Sequence, residues 1–404
     1  MKVLVTSSRM PFAVDMIRKL VEQGIEVHAS DTFASAPGSH VKGIAAHHVT
    51  ASPAHATPQF IDDVIKLVGD HQIDMVIPGF EDTFYLATAH DRLDPITTLF
   101  TGTFEQLAHL HDKLTFSDMC EQIGLNTPHT KVATNEDEFK AEVAEREQWF
   151  ARACFLRGGV SVATNTGPLA TRRTIDDVHP TVDNPWIVQN FVEGPMVCSY
   201  TVFHNGKVTA HSQYQAPRQW KDSTGIEFEA VDANESLPIV TKIGEHLGYT
   251  GQLSFDYVRG PEGLTMIECN PRPTDGILLL PADVVAGAIT NPDFPQTLAV
   301  TGQKIELRWA VAAQIFTESP KKMPKSIHDL VHVPDAAFSI HDWMPTMYSL
   351  LSLGHFEKDA LKTHGHLFDV MTEDIDWNGT PIEGMSTADQ AVLDSLEHAA
   401  TTTA

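Results

Sequence analysis

Cysteine is scarce: only four occur in 404 residues, and Cys120, Cys154, Cys198 and Cys269 form no CxxC pair. That spacing excludes a zinc ribbon and a disulfide framework, and reduced thiols point to a cytoplasmic protein. Basic residues are also few, 28 Lys and Arg against 53 Asp and Glu, for a formal charge of −25. So acidic a chain repels nucleic acid and anionic lipid, and neither is expected as a partner. It repels a nucleotide's phosphates too, unless Lys, Arg and metal reverse the sign locally. No apolar run approaches ~18 residues, so no membrane-spanning helix is expected. The opening MKVLVTSSRMPF lacks the apolar stretch of a signal peptide. Glycine is missing where a dinucleotide site would need it. The turn after the first apolar run reads Ser7-Ser8-Arg9-Met10-Pro11, without G-x-G-x-x-G, which excludes a dehydrogenase of that type.

What is present suffices for two to four structural units, with 42% apolar and 20% charged residues. Apolar runs at 2–6, 26–29 and 74–78 read as strands, alternating with amphipathic helices over 13–23 and 59–69. That alternation predicts a parallel α/β sheet, with Asp31 as a strand-end cap. A helical pattern then runs over 104–120, and another over 136–146. Strands are expected at 149–154, 186–192, 197–203, 207–211, 227–231, 251–258 and 264–269, with a helix at 235–247. Asn205-Gly206 marks a hairpin. The fold class is therefore α/β followed by α+β, in units 1–108, 109–185, 186–300 and 301–404, the last without a legible role.

The most informative segment is GQLSFDYVRGPEGLTMIECNPRPTDG, residues 251–276. Two strands flank a Gly-Pro-Glu-Gly turn, and the two-residue period puts Glu268 and Asn270 on one face, with Asp256 opposite. Two carboxylates and an amide oxygen are hard ligands suited to Mg²⁺. Arg272 follows and can grip a phosphoryl oxygen with its forked donors. Taken alone, such a short motif is more often a set of strand-end acids. Upstream stand Lys113 in His111-Asp112-Lys113, the segment Gly124-Leu125-Asn126-Thr127-Pro128, and the run Ala151-Arg152-Ala153-Cys154-Phe155-Leu156-Arg157-Gly158-Gly159. Glycines such as Gly158 and Gly159 let backbone N–H groups approach phosphate. The pairs His109-x-His111 and His364-x-His366 read as surface residues, and Cys154, Cys198 and Cys269 as small core fillers.

Together these motifs resemble the ATP-grasp superfamily, and within it the carbamoyl-phosphate-synthase large-chain branch, up to about residue 290. The resemblance implies an ATP-grasp fold behind a Rossmann-like pre-ATP-grasp sheet, with an additional C-terminal region. It implies Asp256, Glu268 and Asn270 as ligands of Mg²⁺ or Mn²⁺, and Arg272 at the transferred phosphoryl group. ATP phosphates would meet Lys113, Arg152, Arg157, Gly158 and Gly159. Arg152-Ala153 stands where most members have Lys-Pro and carbamoyl phosphate synthase has Arg-Pro. Gln189, Asn190, Phe191, Val192 and Glu193 would form the adenine hinge, with Glu193 taking the ribose because Met196 replaces the usual glutamate. Tyr214 and Arg218 either reach the reacting groups or are exposed side chains. The implied activity is acyl-phosphate formation from a small carboxylate and transfer to an amine. Phosphorylation of bicarbonate or carbamate is the alternative, and a non-catalytic nucleotide-binding accessory protein the third. A homodimer is compatible with the resemblance.

Overall fold

Short apolar runs separated by amphipathic helices do build a parallel sheet in the first hundred residues. The computed structural model describes residues 1–154, 162–182, 184–220, 224–315, 323–336, 342–363 and 367–402. Strands β1 (Lys2–Val5), β2 (Glu26–Asp31), β3 (Ala46–Val49), β4 (Met75–Ile77) and β5 (Thr98–Leu99) lie in the order β3-β2-β1-β4-β5, all parallel. The period of two sorts β1: Val3 and Val5 pack with Ala13, Ile17 and Leu20 of α1 (Pro11–Glu22). Leu4 packs with Phe60, Val64 and Val68 of α2 (Thr57–His71) on the other face. Strands β3 and β5 escape the sequence reading because one is polar and the other has two residues.

Helices α3 (Asp82–Ala87), α4 (His90–Leu93), α5 (Phe104–His111) and α6 (Lys113–Gln122) follow. The single helix expected over 104–120 is broken at Asp112, whose carboxylate accepts from Thr115 N at 2.8 Å as an N-cap. The break makes Lys113 the first residue of α6. A small antiparallel sheet then forms from β6 (Thr130–Ala133), β7 (Trp149–Ala153), β8 (Val162–Thr164) and β9 (Trp186–Asn190), in the order β6-β9-β7-β8. Helix α7 (Glu136–Ala144) covers it, with Phe139 edge-on to Trp149 and Trp186.

The chain then enters a larger sheet. Its strands are β10 (Met196–His204), β11 (Lys207–Trp220), β12 (Thr224–Ala230), β13 (Gly251–Gly260), β14 (Gly263–Asn270), β15 (Thr297–Leu298) and β16 (Lys304–Glu306). The order is β14-β13-β10-β11-β12-β16, antiparallel, with β15 parallel to β11. The expected hairpin is present, and Asn205 and Gly206 both take positive φ, 49° and 81°. Strand β11 runs well beyond the expected 207–211, because it pairs first with β10 and then with β12. Helices α8 (Leu237–Leu247) and α9 (Ala282–Thr290) pack on this part.

Beyond it come α10 (Arg308–Ile315), α11 (Met323–His332), α12 (Met344–Thr363), α13 (Leu367–Thr372) and α14 (Thr387–Thr402). This region folds back onto the first unit. Phe356 of α12 meets Phe33 edge-on at 5.6 Å, and Ile375 and Trp377 are buried in the two cores flanking the parallel sheet. Among the described residues no helix is long and apolar enough to cross a membrane.

Candidate active site

Two carboxylates face each other because the hairpin register demands it. Asp256 of β13 pairs directly with Glu268 of β14, and Asn270 lies two residues on, opposite Ser254. On its other side Asp256 pairs with Cys198 of β10, which in turn pairs with Tyr214 of β11. The four side chains therefore form one row across the sheet. Cys154 and Cys269 are buried as expected, while Cys198 is only partly buried in this row. Burial and the neighbouring Glu268 charge push the Asp256 carboxyl up to about 6. Burial would raise Glu268 as well, but Lys113, Arg152, His111 and Arg272 together hold it below the ordinary carboxylate range.

The cations come from the facing unit. Arg152, on β7, places Nη1 2.6 Å from Glu268 Oε2 and donates to the Ile267 carbonyl. Lys113 is buried at the start of α6, with Nζ 3.2 Å from the Cys154 carbonyl. Segment 271–276 folds back over the row: Ser254 Oγ donates to Arg272 O at 2.9 Å, and Ser212 Oγ to Gly276 O at 2.8 Å. A Cβ on Gly276 would lie 2.6 Å from that of Tyr200 and 2.7 Å from the Tyr214 ring, so only glycine fits this crossing. Arg272 is thereby fixed, with Nη2 3.2 Å from Asn270 Oδ1, Nε 3.1 Å from Glu81 and its guanidinium over the Phe80 ring.

The structure thus brings Asp256, Glu268, Asn270, Lys113, Arg152 and Arg272 together. Gln189 is buried at the end of β9, its amide donating to Thr130 Oγ1, and Asn190 to Glu193 continue into the link between the two sheets. Arg157, Gly158 and Gly159 lie outside the described residues, as do His364 and His366. Tyr214 is buried in the row, its hydroxyl 3.2 Å from Thr274 Oγ1, not exposed. Arg218 stands apart, with Nη1 2.7 Å from Ser326 and Nη2 3.0 Å from Asp329, tying β11 to α11.

His111 corrects the sequence reading, which leaves it on the surface. It is buried, neither ring nitrogen has a hydrogen-bond partner, and burial drives its pKa down to about 4. The other unforeseen members lie at the carboxyl ends of the parallel strands. Glu81 bridges Arg272 to the backbone N–H of Trp377, 3.1 Å away. Arg9 is buried with Asp31 Oδ1 2.9 Å from Nε, Thr32 Oγ1 2.6 Å from Nη2, and the Met371 carbonyl and Asp374 on Nη1 at 3.0 and 2.7 Å. Asp31 does cap its strand end, accepting from Arg9 N and Thr32 N, but its larger partner is the guanidinium. None of these pairings has a local sequence signal.

Asp82 in the same layer is fully buried, with Phe80 N at 2.9 Å, and burial pushes its carboxyl from 3.8 up to about 6. Between those values the native state keeps a proton that the unfolded chain has released, so stability falls as pH rises through this window. Asp82→Asn is expected to remove roughly 2–4 kcal/mol of the decline between pH 4 and pH 7. Urea unfolding at both pH values measures it; an undiminished decline in the variant would contradict the assignment.

The arrangement resembles solved enzymes in overall form. No protein-family model matches the sequence, and no curated protein does. Solved structures do. The biotin carboxylase domain dimer of 2-oxoglutarate carboxylase from Hydrogenobacter thermophilus, in complex with MgADP, ADP and bicarbonate, superposes with a TM-score of 0.58. It is 14% identical, over 75% of this chain and 73% of that one. N5-carboxyaminoimidazole synthetase from Staphylococcus aureus, complexed with ADP, gives 0.56 at 12% identity over 75% and 80%. Phosphoribosylamine–glycine ligase from Thermotoga maritima gives 0.55 at 14% over 75% and 78%.

Proposed function

We propose, from the premise that this chain has the ATP-grasp fold, that it is a ligase using ATP and Mg²⁺ to couple a carboxylate to an amine. The observation that carries the reading is the meeting of Asp256, Glu268 and Asn270 on one sheet with Lys113 and Arg152 from the facing unit. The ADP complexes of its structural neighbours support the choice of nucleotide. The three oxygen-bearing side chains suit a hard cation and would hold Mg²⁺, which when bound offsets phosphate charge. Lys113 and Arg152, with Arg157, Gly158 and Gly159, would grip the phosphates, while residues 189–193 border the adenine. Arg272, steadied by Glu81 and Asn270, would face the transferred phosphoryl group. In this reading a carboxylate oxygen attacks the γ-phosphorus and the bond to the bridging oxygen breaks, releasing ADP. The amine's lone pair then attacks the acyl carbon, phosphate leaves, and the amine proton passes to water. Such transfer depends on positioning and charge neutralisation more than on covalent help from the protein. Residues 1–108 would select the acceptor, and pairing as a homodimer follows the dimeric biotin carboxylase domain.

The test is isotopic. With ATP, a panel of carboxylic acids and hydroxylamine in place of the amine, a hydroxamate of the right acid is expected to accumulate. Heavy oxygen placed in that carboxylate should appear in the released phosphate. ATP hydrolysis that yields only unlabelled phosphate rules out carboxylate activation. A second reading makes bicarbonate the acceptor, favoured by the bicarbonate bound to the biotin carboxylase domain. Label passing from bicarbonate, with no organic acid present, would select it.

A further inference from the structure

Three histidines with no place in that reaction converge on one face of the parallel sheet. In the β2–β3 register His28 pairs with Ala46 and Ser30 with His48, so both imidazoles leave the same face. Helix α2 covers that face and ends in His71. One ligand nitrogen from each ring lies within 4.8 Å of the other two. The nearest pair, His28 Nδ1 and His48 Nε2, is 3.0 Å apart, and His71 stacks at an angle on both rings. Histidine 28 is only 4% exposed, and its Nε2 has no hydrogen-bond partner. The Glu26 carboxylate stands 3.6 Å from it, balanced by Lys2 Nζ, which is 3.7 Å from Glu26 and bonds to the His71 carbonyl.

Burial and the neighbouring rings hold His28 below its usual range and drive His48 down to about 4. Neutral imidazole is the metal-ligating form. A hydrogen bond between His28 and His48 satisfies two ring nitrogens but leaves His28 Nε2 unpartnered in the interior, where a polar atom without a partner is costly. We propose that His28, His48 and His71 bind a borderline transition-metal ion such as Zn²⁺, with the fourth position open to water or Glu26. Nitrogens bound at 2.0–2.1 Å in a tetrahedron sit roughly 3.4 Å apart, and rotation of the half-buried His48 and His71 rings closes the remaining gap. Nitrogen donors favour Zn²⁺ or Co²⁺ over Mg²⁺, so this site is chemically separate from the carboxylate pair. An ion there would clip the edge strand β3 to β2 and to the end of α2.

The test uses the full chain, stripped with chelator and kept in excess Mg²⁺. Titrated Co²⁺ should produce the visible bands of a nitrogen-ligated ion at one equivalent, and Zn²⁺ should displace it. Single variants His48→Ala and His71→Ala, with urea midpoints close to wild type, should lose the bands. They should also lose at least about 100-fold in Zn²⁺ affinity, the upper end of what losing an outer-shell partner costs. Replacing His364 and His366 together should change neither. Failure of the wild-type chain to take up one equivalent, or unchanged uptake by both single variants, would overturn the site. Acyl-phosphate trapping is unaffected by either result, so the two assignments fail independently.

Discussion

Glu268→Gln is expected to lower ATP-dependent product formation by on the order of 10²–10⁴ while the fold stays intact. The amide keeps the size and one acceptor oxygen, so packing on β14 changes little. What it removes is the charge that faces Arg152 at 2.6 Å and shares the hairpin with Asp256. A hard divalent ion then has one carboxylate fewer, and Arg152 loses its ionic partner. Asp256→Asn is expected to be milder, because Glu268 still supplies a carboxylate set among cations. Initial rates across a Mg²⁺ titration, with unfolding curves for each variant, measure both. Near-normal turnover with unchanged Mg²⁺ dependence in Glu268→Gln would remove this residue from the site.

The second large effect concerns stability. Arg9→Ala is expected to cost about 3–5 kcal/mol, the loss typical of breaking a buried ion pair from one side. The Arg9 and Asp31 side chains are 1% and 0% exposed, and Asp374 shares the same guanidinium. Burial would lower the Arg9 pKa, but Asp31 and Asp374 outweigh it and raise it. Asp31 is also raised, by burial above all, with Arg9 offsetting only part. Guanidinium stays protonated throughout, so Arg9 remains the cation that Asp31 and Asp374 share. Alanine would strand Asp31 without a cation, whereas pairing Arg9→Met with Asp31→Leu should recover most of the loss. By contrast, Lys66→Ala breaks a pair with Asp70 whose side chains are 71% and 54% exposed. That change should leave the urea midpoint close to wild type. Urea denaturation of the three proteins decides it. A small loss for Arg9→Ala would mean water reaches Asp31.

The hairpin carrying Asp256 and Glu268 was legible because its determinants are local. A tight turn fixes the register, and the two-residue period fixes the face. The parallel unit was legible for the same reason, since Val3, Leu4 and Val5 alternate between two helical faces. Legibility failed where polar side chains find partners far along the chain. Lys113 looks like a surface charge until Asp112 caps a new helix and buries it. His111 looks like half of a surface pair, yet it lies beneath Trp377, 266 positions on, with ring centroids 5.8 Å apart. Residues 301–404 carry no periodic signature of their role. Their contribution includes long-range contacts such as Asp374 to Arg9 and Trp377 to Glu81, made across more than 290 positions.

Those contacts impose a timetable on synthesis. Arg9 and Asp374 are 365 positions apart. A ribosome adding roughly 5–20 residues per second needs about 20–70 s to cover that distance. Throughout that interval the nascent parallel sheet has its inner acid, Asp31, but neither the second carboxylate nor the Trp377 ring that roofs Phe84 and His111. The parallel sheet is therefore translated well before the residues that complete it.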